Sequence, residues 1–377
     1  MNKTARIIGS VARTLLALTF LFSGFVKAVD PVGTVYKIED YLTAFGGVFT
    51  SLLPLATVAA VLLILTEWTL GVMMLCNIRT QWTAWLSLAF YLVMTPLTLY
   101  IALTNPISDC GCFGDALVLS NWQTFWKNVV LISLVVVLLC TKRHIPPTFV
   151  WQAEIGIVLA GMALAGGLMI YTHYHLPIID FRPYKIGNNI PELMSIPDGA
   201  PHDEYAITLI YEKDGVQQEF TLQDYPRNDS TWRFVDQRST LVSKGYEPPI
   251  HDFALMDADG EDLTYDILEA ERAVLVVMYD LDKTDIRQLG KVANLCLTSK
   301  EQGVPCFILT AATDEQIRAF VDAHRDLLPA SVAATADPTL LFLHADGIML
   351  KTIVRANPGV FVVENGIITD KYNIRNR

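Results

Sequence analysis

Two cysteines separated by a single glycine, Cys110-Gly111-Cys112, are the residues of this chain best suited to chemistry. They lie in the loop Ser108-Asp109-Cys110-Gly111-Cys112-Phe113-Gly114-Asp115. Thiols this close can close a very small disulfide ring, and a strained ring is oxidising and labile rather than structural. The pair therefore suits thiol–disulfide exchange. The competing reading is an inert or structurally bridged pair in a loop folded onto its neighbours. Asp109 and Asp115 would raise the pKa of a nearby thiol, which argues against a strongly acidic thiolate. Two cysteines without histidine neighbours do not make a zinc site. No metal is expected, since nothing resembles a zinc signature, a phosphate loop or a nucleophile elbow. His173 and His175 are two apart and point to different faces of a helix. Cys76, Cys140, Cys296 and Cys306 read as packing residues. Asn228-Asp229-Ser230 matches a glycosylation sequon by chance.

Other polar groups stand in apolar surroundings. Glu67 lies inside a long apolar stretch, where a carboxylate normally faces a bundle interior. It reads either as a contact for a proton, a ligand or a quinone, or as a protonated structural carboxyl. Lys27 and Asp30 belong to the segment Ser23-Gly24-Phe25-Val26-Lys27-Ala28-Val29-Asp30-Pro31. They read either as part of the same polar site or as a helix stop, with an interfacial lysine and a proline breaker. Arg13 and Glu154 sit nearer helix ends, where long side chains snorkel.

The elements that must hold these groups are membrane helices. Mean hydropathy is positive at +0.36. Apolar stretches at 7–26, 52–75, 82–103, 125–139 and 149–171 approach the roughly 20 residues that cross a hydrocarbon core. The fourth is short and needs Trp122 and Trp126 at one end and Lys142 and Arg143 at the other. The first has a basic start but no small-residue cleavage site, so it reads as a retained helix. Lys3, Arg6, Arg79, Lys142 and Arg143 fall on one side, which is then cytoplasmic. Five crossings place the cysteine loop and the tail on the other side, periplasmic in a bacterial inner membrane. In the fifth stretch, Gly156, Ala160, Gly161, Ala163, Ala165 and Gly167 suit close helix packing.

Charge divides at the same boundary. Residues 1–172 hold nine Lys/Arg and seven Asp/Glu, and residues 173–377 hold nineteen and thirty-two. An acidic tail argues against nucleic acid or anionic lipid as its main partner, so the expected partners are membrane lipid around the apolar helices and a periplasmic protein client. Within it, residues 176–246 read as a small β-rich unit, with a hairpin around Asp214-Gly215. From 247 onward strands alternate with helices, and Asn365-Gly366 turns a final hairpin, so this part is α/β.

Two resemblances follow from these motifs. Lys27 with Asp30-Pro31, Glu67 and the Asp-Cys-Gly-Cys-Phe-Gly loop resemble the DoxX/MauE-like family of bacterial membrane proteins over residues 5–142. The resemblance implies a four-helix bundle (residues 1–145), followed here by a fifth helix (146–175). It also implies quinone-linked sulfur oxidation or periplasmic disulfide formation during enzyme maturation. The tail at 247–377 resembles a thioredoxin-like domain. Asn357-Pro358 would be its cis-proline element, with Asp337-Pro338 as the rival. That fold's dithiol is missing, because Asp280-Leu281-Asp282-Lys283 stands where it should follow the strand at 274–279. Three readings stay open: a membrane redox protein working through Cys110 and Cys112, with a quinone as its cofactor; a non-enzymatic scaffold or assembly factor; and a small-molecule or lipid transporter.

Overall fold

The computed structural model describes residues 3–107, 109–142, 145, 148–227, 229–243, 245–327 and 341–377. Ser108, Arg143, Asn228 and the Asp337-Pro338 alternative lie outside the described residues.

Helix α1 (Lys3–Val29) opens the chain. A second helix that hydropathy does not announce, α2 (Pro31–Phe45), follows at once. Pro31 is its first residue and the Asp30 carboxylate its cap, accepting from the Gly33 amide at 2.9 Å. Asp-Pro here starts a helix as well as ending one, because proline at the first helical position gives up an amide that has no intrahelical partner. A 3-10 run (Gly47–Leu55) leads into α3 (Ala56–Leu75), then come α4 (Thr80–Thr104), α5 (Asn121–Thr141) and α6 (Trp151–Tyr174). Among the described residues five of these helical segments are long and apolar enough to cross a membrane, all except α2. The stretch that seemed short is full length, since a Ser120–Gln123 capping box starts α5 four residues earlier than hydropathy suggests.

α1 packs against α3 and α5, α4 against α5, and α6 against α3. Glycines bring α1 and α3 together. A Cβ on Gly24 would lie 2.9 Å from the Trp68 amide nitrogen, and one on Gly71 would lie 2.8 Å from that of Leu21. Asn128 donates to Thr98 at 3.1 Å, a polar tie between α5 and α4. Large apolar side chains such as Trp82, Leu92, Val93 and Leu103 cover the outside of the bundle, as a lipid-facing surface requires. Of the small residues of α6, Ala165 is buried and Gly161 approaches Val72, whereas Gly156 and Gly167 face open space. Neither Glu154 nor Arg13 snorkels. Glu154 is buried and paired with Arg79 at 2.8 Å, and Arg13 donates to the last carbonyls of α3, Met74 and Leu75.

After a short helix, α7 (Ile190–Met194), strands β1 (Glu204–Lys213), β2 (Val216–Thr221) and β3 (Arg233–Ser243) form an antiparallel sheet in the order β2-β1-β3. Its aromatic side chains pack on each other: Tyr211 meets Phe220 and Phe234, and Phe220 meets Trp232. The chain enters and leaves this sheet at one place, where the Tyr246 amide donates to the Pro201 carbonyl at 2.8 Å.

The rest of the tail surrounds a five-stranded sheet. In chain order it comprises α8 (Thr264–Glu269), β4 (Ala273–Val277), α9 (Leu289–Glu301), β5 (Cys306–Thr310), α10 (Asp314–Ala323), β6 (Phe342–His344), α11 (Gly347–Ile353), β7 (Gly359–Glu364) and β8 (Ile367–Asn373). The strand order is β6-β5-β4-β7-β8, with β4, β5 and β6 parallel and β7 and β8 antiparallel. Alternate residues divide between two cores. Leu275, Val277, Phe361 and Val363 face α11, and Val274, Val276, Val360 and Val362 face α9 and α10. Cys296 and Cys306 are not isolated packing residues: they form a disulfide from α9 to β5. The apolar segment 250–255 forms no strand, and Met256 after it makes isolated bridges to Asp262 and His344.

Candidate functional site

The cysteine loop joins α4 to α5 and folds back over the ends of α1 and α2. The two sulfurs are 3.0 Å apart. Gly111 between them has a φ of +64°, a conformation that costs a side-chain-bearing residue about 1–2 kcal/mol. Its amide donates to Asp109 at 2.8 Å, which tightens the turn.

The loop is gripped through its backbone carbonyls. Tyr41 on α2 donates to the Cys110 carbonyl at 2.6 Å. Lys27 on α1 donates to the Cys112 carbonyl at 2.7 Å, and Ser23, one turn earlier, reaches the same oxygen at 2.7 Å. Lys27 is no interfacial helix stop. It is buried and paired with the buried Glu67 of α3, at 2.8 and 2.9 Å to the two carboxylate oxygens. Ser23 also lies 2.8 Å from Glu67, so its single proton serves one acceptor at a time. The close approach of α1 and α3 at Gly24 and Gly71 is what lets Lys27 and Glu67 meet.

Charge around the thiols runs against the expectation from Asp109 and Asp115. Lys37 neutralises Asp109 at 2.9 Å, and Arg355 of the tail lies 3.3 Å from Asp115. Lys127 sits 4.4 Å above the Phe113 ring, close enough to add positive charge. A hydrogen bond from Cys110, together with Lys127 and Lys27, outweighs burial and lowers the Cys112 thiol to about 6. Cys110 goes the other way: as the donor to Cys112, and buried, it is held protonated well above the ordinary thiol range. One thiolate and one thiol is the protonation state that starts disulfide exchange.

The remaining site residues fall on the tail side. Asp30 caps α2 with one carboxylate oxygen and accepts from Arg355 at 2.8 Å with the other. Arg355 closes α11, and the Asn357-Pro358 peptide two residues on is cis. Asn357 donates to the Asp280 carbonyl at 2.6 Å and accepts from Thr284 at 3.1 Å, so the proline loop lies beside the turn at 280–284. Tyr279, just before that turn, meets Tyr36 of α2 hydroxyl to hydroxyl at 2.9 Å. Asp30 and Arg355 also help to wall a cavity of about 340 Å³ lined by Lys27, Tyr41, Glu67, Cys110 and Cys112, with apolar walls from Val26, Ile38, Leu63, Met94 and Leu97.

Cys110, Cys112, Lys27, Glu67 and Asp30 thus share one wall system, and Asn357 and Pro358 lie behind Arg355. Sequence reasoning assigned no role to Ser23, Tyr36, Tyr41, Lys127, Tyr279 or Arg355. A readable signal existed for Ser23, which is four residues before Lys27 and hence on its face of the helix. It also existed for the tyrosines of α2, through the Asp-Pro helix start. None existed for Arg355, whose partners are 325 and 240 residues away. Among the described residues no group of three or more His, Cys, Asp or Glu could hold a metal ion.

Residues 205–244, which span the three-stranded sheet, match a family described as a domain of unknown function (DUF8463). No curated protein matches the chain. Residues 5–141, from the first turns of α1 to the end of α5, match the family described as methylamine utilisation protein MauE, so this part of the chain is similar to that family, and with five helices among the described residues long and apolar enough to cross a membrane the chain is a multi-pass membrane protein.

Proposed function

We propose that this protein carries out thiol–disulfide redox chemistry through Cys110 and Cys112 on the non-cytoplasmic face of a bacterial inner membrane, in the maturation of exported proteins. The observation that carries this reading is the pair itself: two sulfurs 3.0 Å apart on the wall of a cavity. A disulfide needs about 2 Å, so side-chain rotation alone approaches closure.

In the oxidising direction a client thiolate attacks one sulfur of the Cys110–Cys112 disulfide. The S–S bond breaks, a mixed disulfide forms and the other sulfur leaves as thiolate. A second client thiolate then displaces the first protein sulfur. The client leaves with a new disulfide, having lost two electrons and two protons, and Cys110 and Cys112 are left reduced. Renewal needs a two-electron acceptor, and a lipid-soluble quinone supplies that chemistry when bound. The cavity suits a neutral apolar ring system. Its walls are mostly apolar, and the charges of Lys27, Lys37 and Arg355 are each met by a carboxylate.

The tail is read as thioredoxin-like, which the strand order and the cis Asn357-Pro358 peptide support. Its placement on the non-cytoplasmic side is supported by the basic residues of the opposite loops and by the Cys296–Cys306 disulfide, a bond that persists in oxidising compartments. A second reading, a scaffold with a redox-inactive binding domain, is favoured by Asp280-Leu281-Asp282-Lys283 at the expected dithiol position.

Thiol trapping in whole cells separates the two. Cys110 and Cys112 should shift between reduced and oxidised forms when cells meet reductant or oxidant. A fixed state under both, with full function in the Cys110→Ser, Cys112→Ser double variant, would leave the scaffold reading.

A further inference from the structure

We propose that the C-terminal tail is a latched cover over the cysteine loop. It admits small neutral molecules to Cys110 and Cys112 and excludes polypeptide thiols until it lifts. The purpose of such a cover rests on the redox reading above; its geometry does not.

The latch is Arg355. Its side chain is 10 % exposed and bridges from the end of α11 to two bundle carboxylates, Asp30 at 2.8 Å and Asp115 at 3.3 Å. Those carboxylates bracket the site, one at the end of α1 and one three residues past Cys112. Gly33 makes the bridge possible, because a Cβ there would lie 2.8 Å from the Arg355 guanidinium. A second contact joins the same two bodies, the Tyr36–Tyr279 hydrogen bond at 2.9 Å, with Lys351 4.9 Å from the centre of the Tyr36 ring.

These contacts are ion pairs, hydrogen bonds and ring–cation contacts. Interfaces of that kind within one chain permit relative motion of the units they join. Beneath the cover, about 340 Å³ is room for a small molecule and not for a loop of another protein. The tail's own disulfide cannot stand in for a client. Cys306 begins β5 opposite Val274, whereas Tyr279 lies past the other end of the neighbouring parallel strand, against α2.

The test uses full-length protein in membranes, in a Cys76→Ala, Cys140→Ala background, after reduction. A small maleimide and a bulky polyethylene-glycol maleimide are compared, and mass spectrometry of the loop peptide reads modification at Cys110 and Cys112. With Arg355 intact the small reagent should react and the bulky one should be at least about tenfold slower. Arg355→Ala should raise the ratio of the bulky to the small rate by about tenfold through a larger open population. Arg355→Lys should fall between. Tyr279→Phe removes one hydrogen bond and no charge, and should move the bulky rate the same way by less. It carries the test if Arg355→Ala also loses small-reagent labelling. Equal rates for both reagents with Arg355 intact, or a bulky rate that neither variant moves, would overturn the cover. Size-selective labelling of cysteines that never change redox state in cells would overturn the redox reading and leave the cover standing.

Discussion

At the scale of single residues, the two thiols are made unlike by their surroundings. The two sulfurs share a hydrogen bond that favours the thiolate at Cys112, which also faces Lys127 and Lys27, whereas at Cys110 that hydrogen bond and burial outweigh Tyr41 and Lys127. Alkylation by a small reagent should therefore begin with a single ionisation of the pair below the ordinary thiol range, the second thiol ionising far above it. Rates at each cysteine as a function of pH would check this, and a common midpoint near 9 would contradict it. Behind Cys112, Lys27 and Glu67 are both buried, so losing one partner strands the other. Glu67→Gln should cost about 3–5 kcal/mol and reduce the level of folded protein in the membrane. Lys27→Met with Glu67→Met should recover folding, measured by detergent-phase thermal unfolding, while freeing the Cys112 carbonyl. The cysteine pair and Glu67 were legible in the sequence because their residue types are costly or reactive where they stand. Lys27 was ambiguous, since a lysine at a helix end is usually interfacial and only its distant partner shows otherwise.

At the scale of elements, α2 and the loop glycine decide the site. The five membrane helices were readable from apolar length, because that signal is local. α2 was not, because Pro31 reads as a stop and a half-buried 15-residue helix carries no such run. Its tyrosines and Lys37 are the half of the site that hydropathy cannot find. Gly111 is the matching local constraint. A Cβ there would strain a left-handed backbone and sit 2.7 Å from Lys37 Cγ. Gly111→Ala should destabilise the loop by about 1–2 kcal/mol and slow formation of the Cys110–Cys112 disulfide under oxidant, read as the rate at which free thiols disappear. Unchanged closure would mean that the turn at Gly111 does not hold the sulfurs together.

At the scale of the molecule, the tail divides into a part that touches the site and a part that does not. The sheet of β1 to β3 packs aromatic residues on one another, with Phe234 still half exposed, and meets the rest of the tail where Pro201 and Tyr246 are hydrogen-bonded neighbours. Replacing residues 202–245 with a short Gly/Ser turn should leave thermal unfolding of the remaining chain and redox cycling of the cysteines unchanged. Loss of either would show that the sheet supports the site. The division into bundle, small sheet and α/β tail was visible in composition. The bridge between bundle and tail was not, because nothing local in Arg355 or Tyr279 reports a partner hundreds of residues away.

The grip on the Cys112 carbonyl has one more consequence. Lys27 and Ser23 hold the peptide oxygen and leave the sulfur unrestrained by any bond of theirs. If that sulfur gains or loses a covalent partner, the backbone beneath it need not move. Rearrangement on electron transfer is then confined to a few side-chain torsions, and the reorganisation energy stays small in both directions. On the proposed redox reading, the loop would cycle repeatedly without the bundle registering which form it holds.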